Sequence, residues 1–428
     1  MTLARDPSGT LCLGGVRLEA LASEAGTPVY AYDLDAMAAE ARALREAFDG
    51  APHLVAYALK ANTAGGVVRA LAGEGCGADV VSGAELLVAL ACGIAPERIV
   101  YSGVAKTERE LDRAIACGAS GIGAVQLESV EEIARVEARA RAAGRDVRVS
   151  VRINPSIELE GATHAHIATG HDRAKFGVPR PDVAHAVRLV EASSRLELVG
   201  MAMHVGSQFT DTAPYVQAVR VLFGLVRSLR EAGHGRALAF VDTGGGFGVD
   251  YTGAAVPIAR PADFVRAARA EQSRHGLDDL ALYVEPGRSM VAAHGVLVAR
   301  VIQAKVAATA RWLMIDAGMN DLVRPALYQA RHRIVPVEHE LVAAHAIRWR
   351  VVGPVCESSD DFGEHSLPRE PPRAVAILDA GAYGYTMASQ YNGRQLPVEA
   401  FLRGGQIVGR TERTTVEQWA AARARAGA

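Results

Sequence analysis

Lys60 closes the apolar run VAYALK, and a lysine in that setting has two fates. Its stem can lie along apolar surface while the amine reaches solvent. Desolvated, the amine loses basicity and becomes a nucleophile towards carbonyls, with a Schiff base as the product. Other reactive types also follow apolar runs: Asp79 and Ser82, Arg152, His204, the cluster TGGGFG at Thr243–Gly248, and EPGR at Glu285–Arg288. The glycines either form a tight turn or let backbone N–H groups approach an anion such as phosphate. Their spacing does not fit the dinucleotide fingerprint, and no GxxxxGK followed by Ser or Thr is present. Glu285 can pair with Arg288 or hold a proton on a heterocyclic nitrogen. His204 can be a packed core histidine or can stack its flat ring on a planar cofactor. Further on, GPVCESSD sets Cys356 beside Glu357, where a protonated thiol can serve as a proton donor. Arg324 and Tyr328 lie in DAGMNDLVRPALY, and Tyr383 lies in a glycine-flanked turn of DAGAYGYTMASQYNGR.

These residues need elements that bring them together. Eight short apolar runs recur: Leu54–Leu59, Ala78–Ser82, Arg98–Gly103, Gly121–Val125, Val147–Ile153, Leu198–His204, Ala239–Gly244 and Leu280–Glu285. Several are continuous rather than alternating, as parallel strands buried on both faces are. Segments between them, such as Val130–Ala143 and Tyr215–Ala232, carry helical periodicity. Eight strand–helix units in succession predict an α/β fold, a (β/α)8 TIM-like barrel. The chemistry-bearing residues then gather at the strand C-terminal ends. The interval from Ile153 to Leu198 is longer and holds an extra loop. Within it, His164, His166 and His171 invite a metal reading. No carboxylate or cysteine supports them at ligand spacing, so no metal site is expected. Gly161 and Gly170 suit a loop over the barrel mouth instead.

After about residue 290 the texture changes. Val296–Ala304, Arg311–Asp316, Ala346–Val352 and Ala374–Asp379 read as strands punctuated by Gly and Pro, which predicts a mainly β, sandwich-like C-terminal domain. The expected division is a barrel over residues 33–290, and residues 1–32 together with 291–428 in the β domain.

Composition sets the outer limits. The chain has 428 residues, half of them apolar and 22% charged, which suits a large folded core and not a disordered chain. A net charge of −2 with no basic stripe argues against nucleic acid as a partner. The longest nearly apolar stretch, Leu86–Pro96, is too short to span a bilayer, and the N-terminus lacks a signal-peptide pattern, so a cytoplasmic location is expected. Five cysteines (Cys12, Cys76, Cys92, Cys117 and Cys356) at wide spacing with no CxxC pair do not suggest a disulfide framework or a structural zinc site.

Taken as a set, AYALKAN, DVVSGAEL, HVGSQ, GGGFGVDY, EPGR, DAGMNDLVRPALY, GPVCES and GAYG resemble the diaminopimelate decarboxylase family. These are alanine-racemase-like (fold type III) enzymes that use pyridoxal 5'-phosphate. The likeness runs nearly end to end, from TPVYAYD to YNGR. It implies a barrel followed by a β-sandwich-like domain, in a head-to-tail homodimer with active sites at the subunit interface. It also implies roles. Lys60 would hold the cofactor aldehyde covalently, with Asp79 among the cofactor contacts. Ser207, Gly245, Gly246, the backbone of Glu285, Pro286, Gly287 and Arg288, and Tyr383 would hold the phosphate. His204 would stack on the pyridine face and Glu285 would pair with the protonated ring nitrogen. Alanine racemases set an arginine against that nitrogen, so the carboxylate argues for decarboxylation.

At the far end of the substrate, Arg288 and Arg324 would grip a distal carboxylate, with Tyr328 and Tyr383 in support. Glu357 would accept the distal ammonium. Cys356 would reach the partner's site and protonate the carbon that loses its carboxylate. The implied reaction converts meso-2,6-diaminopimelate, at its D-centre, to L-lysine and CO2, the last step of lysine biosynthesis. The alternatives are a sibling decarboxylase for another diamino acid, such as ornithine or lysine, or a catalytically silent cofactor-binding homologue. The sequence departs from the family at THAHIATG, where Pro-Tyr is frequent, and in the short stretch between CESSD and GAYG.

Overall fold

Each of the eight apolar runs forms a parallel strand in the computed structural model, which describes residues 3–156, 174–253 and 257–425. They are β1 (His53–Ala58), β2 (Gly77–Val80), β3 (Ile99–Tyr101), β4 (Ala124–Leu127), β5 (Val147–Asn154), β6 (Leu196–Met203), β7 (Phe240–Asp242) and β8 (Ala281–Val284). Neighbours pair in chain order. β8 returns to β1 through Leu282–His53, Tyr283–Leu54 and Val284–Val55, which closes the barrel. All residues of β2, β3, β4 and β7 are buried, because helices cover the outer face while side chains fill the interior. This is the physical cause of the unbroken apolar runs.

The helices follow from local chemistry. In Val130–Ala143, Ser129 Oγ accepts from Glu132 N at the start, and Gly144, with φ +64°, closes the end. Ile133, Val136 and Ala140 recur at helical spacing and are buried against the barrel unit. Burying a residue such as Ile133 or Val136 contributes about 1.5–3 kcal/mol, more than the cap's roughly 1 kcal/mol, so packing holds this helix and the cap fixes where it begins.

Two local expectations shift. The fourth run begins its strand at Ala124, not Gly121. Gly121 has φ +75°, and a Cβ on Gly123 would lie 2.6 Å from Glu97 O, so this stretch is a turn leading into β4. Lys60 does not end β1; it sits in the 3-10 turn Leu59–Ala61 just beyond it. There Ala58 N donates to Pro286 O and Tyr57 Oη to Asn62 O, both at 3.0 Å, which breaks off the ladder. The expected loop with His164, His166 and His171, and the THAHIATG departure, lie outside the described residues. Among the described residues, no helix is long and apolar enough to cross a membrane.

The barrel belongs to a compact unit of residues 39–249 and 257–290; residues 1–38, 250–256 and 291–428 make a second, mainly β unit. The second unit is organised by the long strand Gly295–Val306. Its first half is flanked antiparallel by Val29–Asp33 and Ala374–Ile377, and its second half by Arg311–Ile315. A Cβ on Gly381 would lie 2.0 Å from Val291 O, so only glycine permits this close approach of backbones. The core of this unit collects Leu11, Leu13, Val29, Ala31, Val296, Val298, Ala376 and Val398.

Glu399 sits in the same unit at 4% exposure, accepting from Tyr32 Oη at 3.0 Å. Burial pushes its carboxyl up to about 7, against the pull of the Tyr32 hydrogen bond. A carboxyl raised on folding binds its proton more tightly in the native chain. Its contribution is therefore present below the ordinary value of 4.5 and is lost as pH rises through about 7. Relative to wild type, Glu399→Gln is expected to gain about 1–3 kcal/mol of stability between about pH 4 and pH 8. Denaturant melts of the two proteins across that range check this; parallel profiles would refute it.

Candidate active site

The strand ends of the barrel bring the expected polar residues together. Lys60 Nζ lies 2.7 Å from Asp79 Oδ2. The carboxylate is fully buried, while the lysine side chain is 34% exposed. This separates Lys60 from Lys106, whose buried amine donates to Gly103 O, Gln126 O and Glu132 Oε1 at 2.6, 2.7 and 3.1 Å. All three of its protons are engaged, so Lys106 is a structural lysine. Lys60 keeps a solvent-facing side from which an aldehyde can be reached.

Glu285 follows β8 and is 4% exposed. Its Oε2 is 3.6 Å from His204 Nδ1, and Ser102 Oγ donates to its Oε1 at 3.4 Å. Burial pushes this carboxyl up, but the His204 contact and the charges of Lys60, His204 and Arg152 outweigh it and hold it below the usual range. Burial lowers His204 itself, with Glu285 pulling the other way. Arg152, near the end of β5, pairs with Glu128 at 2.8 Å and donates to His204 O at 3.3 Å, which ties the His204 backbone to the neighbouring strands.

Next to this cluster, three loop backbones converge. A Cβ on Gly245 would lie 2.0 Å from Glu285 O, and one on Gly246, with φ +90°, would lie 2.3 Å from Gly206 O. No larger residue allows these loops to meet. Gly245 N donates to His204 Nδ1 at 3.2 Å. Arg288 Nη2 donates to Ser207 Oγ at 3.1 Å, which links EPGR to HVGSQ. Pro286 O takes the Ala58 amide, and Gly287 packs on Ala58 and Ala61, so EPGR is fastened beside Lys60.

The mainly β unit holds the remaining residues. Arg324 is 6% exposed; its Nη1 donates to His332 Nε2 at 2.7 Å, and its guanidinium stacks 4.4 Å from the centre of the Tyr251 ring. His332 Nδ1 in turn donates to Leu378 O at 2.8 Å, which fixes the tautomer and the aim of Arg324. Tyr328 ends the same short helix, Arg324–Tyr328. Tyr383 has φ +55°, a conformation unfavourable for an aromatic residue and one that recurs at functional sites. Cys356 and Glu357 are exposed. Asn392 Oδ1 accepts from Cys356 N at 2.7 Å, and Tyr391 Oη donates to Glu357 Oε1 at 2.6 Å, which pins this loop to the YNGR turn.

The barrel residues fit a planar aldehyde bearing a phosphate and a basic ring nitrogen. Residues 34–292 match the family model described as the pyridoxal-binding domain of pyridoxal-dependent decarboxylases. Over 417 residues the chain is 39% identical to the diaminopimelate decarboxylase of Zymomonas mobilis, covering 96% of each. This chain belongs to the diaminopimelate decarboxylases. Solved structures of that family agree. The diaminopimelate decarboxylase of Helicobacter pylori, complexed with L-lysine, superposes with a TM-score of 0.86 at 36% identity, over 95% of this chain and 99% of that one. The diaminopimelate decarboxylase of M. jannaschii, also in complex with L-lysine, gives 0.90 at 32% identity, over 98% and 97%. The fold is accordingly the TIM-like barrel with a mainly β second sheet, and the cofactor of this pyridoxal-dependent family is pyridoxal 5'-phosphate.

In this diaminopimelate decarboxylase, the candidate reactive residues stand out by type, while those that hold them do not. Tyr251 and His332 aim Arg324; Tyr251 closes GGGFGVDY and His332 lies four residues beyond Tyr328, and neither position signals that role in sequence. Glu128, the partner of Arg152, has no signal beyond its place just after β4. Of the two open readings of the EPGR motif, the described contacts of Arg288 go to Ser207, while Glu285 faces His204.

Proposed function

We propose that this chain decarboxylates meso-2,6-diaminopimelate at its D-centre to give L-lysine and CO2. The observation that carries this reading is Glu285, a buried carboxyl 3.6 Å from His204 Nδ1 at the barrel end that also holds Lys60 and Asp79. When bound, pyridoxal phosphate supplies an electron sink for the bonding pair left behind by CO2. Glu285 would hold the proton on its ring nitrogen, which strengthens that sink. Lys60 would anchor the aldehyde, and Asp79, 2.7 Å away, would hold the Nζ proton. Ser207, Gly245, Gly246, the Glu285–Arg288 backbone and Tyr383 would bind the phosphate. His204 would cover one face of the ring and exclude water from it.

Substrate choice would rest on Arg288 and Arg324. A guanidinium grips a carboxylate with two parallel hydrogen bonds, and His332 and Tyr251 hold Arg324 ready for this. Tyr328 and Tyr383 would add hydroxyl contacts, and Glu357 would accept the distal ammonium. Cys356 would give its proton to the carbon that loses CO2. Cys356 and Glu357 are exposed on a pinned loop, which supports a head-to-tail homodimer in which each reaches the partner's site. Five free thiols support a reducing, cytoplasmic setting.

The deciding experiment is incubation with the meso-, LL- and DD-isomers, ornithine and lysine, with product analysis. L-lysine from the meso isomer alone is expected. Turnover of ornithine or lysine instead would replace this reading. Arg324→Ala should lower kcat/KM for the meso isomer by about 100-fold or more, through lost charge-assisted bonds, while cofactor attachment is kept. Unchanged kcat/KM would remove Arg324 from the substrate site.

A further inference from the structure

Asp242 ends β7 between β6, where it is registered with Ala202, and β8, where it is registered with Tyr283. It is fully buried. Oδ1 accepts from Gly244 N at 2.8 Å, while Oδ2 accepts from no donor among the described residues and the side chain is within reach of the Glu285 carboxyl, to which a carboxylic acid O–H could donate. Gly244 O in turn accepts from Glu285 N at 2.8 Å, so Asp242 holds the turn that holds Glu285. Around it lie Glu285 after β8, Tyr283 on β8 and Asp79 on β2, while His204 faces Glu285 and Lys60 faces Asp79. From the helix Thr212–Glu231, Tyr215 reaches the adjoining Thr243. Three buried carboxyl groups thus share one barrel end with few cations. Lys60 is engaged by Asp79, and Arg152 by Glu128.

A buried, ionised carboxylate whose second oxygen meets another carboxylate and no donor is heavily penalised. We propose that Asp242 works as a neutral carboxylic acid, a positioning residue that keeps the negative charge on Glu285 and fixes the glycine turn beside it. Burial and the Glu285 charge both push the Asp242 carboxyl well above the usual range, in keeping with this. The assignment rests on the reading of Glu285 as the ring-nitrogen partner. It adds that the charge Glu285 presents depends on a neighbour that gives its own up.

Asparagine has the shape of a protonated aspartic acid, donor included, and this makes the proposal testable on the holoenzyme. Asp242→Ala should lower kcat/KM by about tenfold or more and shift the pH midpoint of the cofactor absorbance, and Asp242→Asn should restore most of both. Infrared difference spectra of wild type against Asp242→Asn at neutral pH should show the C=O stretch of a buried carboxylic acid in wild type only. An Asn variant as damaged as the Ala variant would overturn the proposal, and so would a missing acid band. Should the Ala variant not fold, the infrared comparison still decides. A wild-type chain that shows the acid band but makes no lysine would refute the proposed function and leave Asp242 standing.

Discussion

Lys60→Ala should abolish covalent retention of pyridoxal phosphate and lower decarboxylation by at least about a thousandfold. Borohydride reduction, denaturation and mass measurement of the chain read the first effect directly. Wild type should gain the mass of the reduced cofactor and the variant should not. Lys106 cannot take over, because its three protons are held by Gly103 O, Gln126 O and Glu132. Removal of the lysine also strips Asp79 of its neighbouring cation. A buried carboxylate left alone costs about 3–5 kcal/mol, unless it takes up a proton. Burial and the Glu285 charge already push the Asp79 carboxyl upward, with Lys60 acting against them, so proton uptake is the expected outcome. Lys60→Arg separates the two effects: the charge beside Asp79 stays, the primary amine goes, and fixation should still be lost. Cofactor fixed to Lys60→Ala at another lysine would overturn the assignment.

Cys356→Ala should leave cofactor fixation intact and lower kcat by about 10²–10⁴, the usual worth of a positioned proton donor. The loss should fall on kcat more than on KM, because the proton is needed after CO2 has left. A stronger test mixes the two inactive proteins. If each site takes Lys60 from one chain and Cys356 from its partner, a mixed dimer of Lys60→Ala and Cys356→Ala contains one complete site. Activity should return on mixing under conditions that exchange subunits. Mixed dimers verified by mass and still inactive would refute the shared-site arrangement.

The sequence made the barrel legible because its strands are buried on both faces, and burial on both faces writes an unbroken apolar run. The strand Asp361–Pro368 was not legible. It reads DFGEHSLP, pairs along one side with Ala346–Val352, and carries exposed and half-buried polar residues with a glycine at φ +88°. The hairpin of Val398–Arg403 and Gln406–Arg410 is marked in sequence only by the Gly404-Gly405 turn between its strands. Lys60, His204 and Glu285 were readable because their side-chain types are rare just after apolar runs. Asp242 and His332 were not, since their roles come from register and from contacts with residues distant in sequence. Glu357 shows the limit on the other side. Its charge was visible, but its bond to Tyr391, 34 positions away, was not.

Closure of the barrel between β8 and β1 also has a kinetic meaning. The strand that precedes Glu285 docks beside the strand that precedes Lys60, and the two are separated by more than half of the chain. Contacts of such long range form late, after the entropy of a large loop has been lost. During synthesis, Lys60 therefore emerges long before Glu285 and the glycine turn can join it. Pyridoxal phosphate would be captured as one of the last events of folding and would stabilise only the closed form, in proportion to its free concentration. Refolding rates should then be insensitive to added cofactor, while unfolding slows.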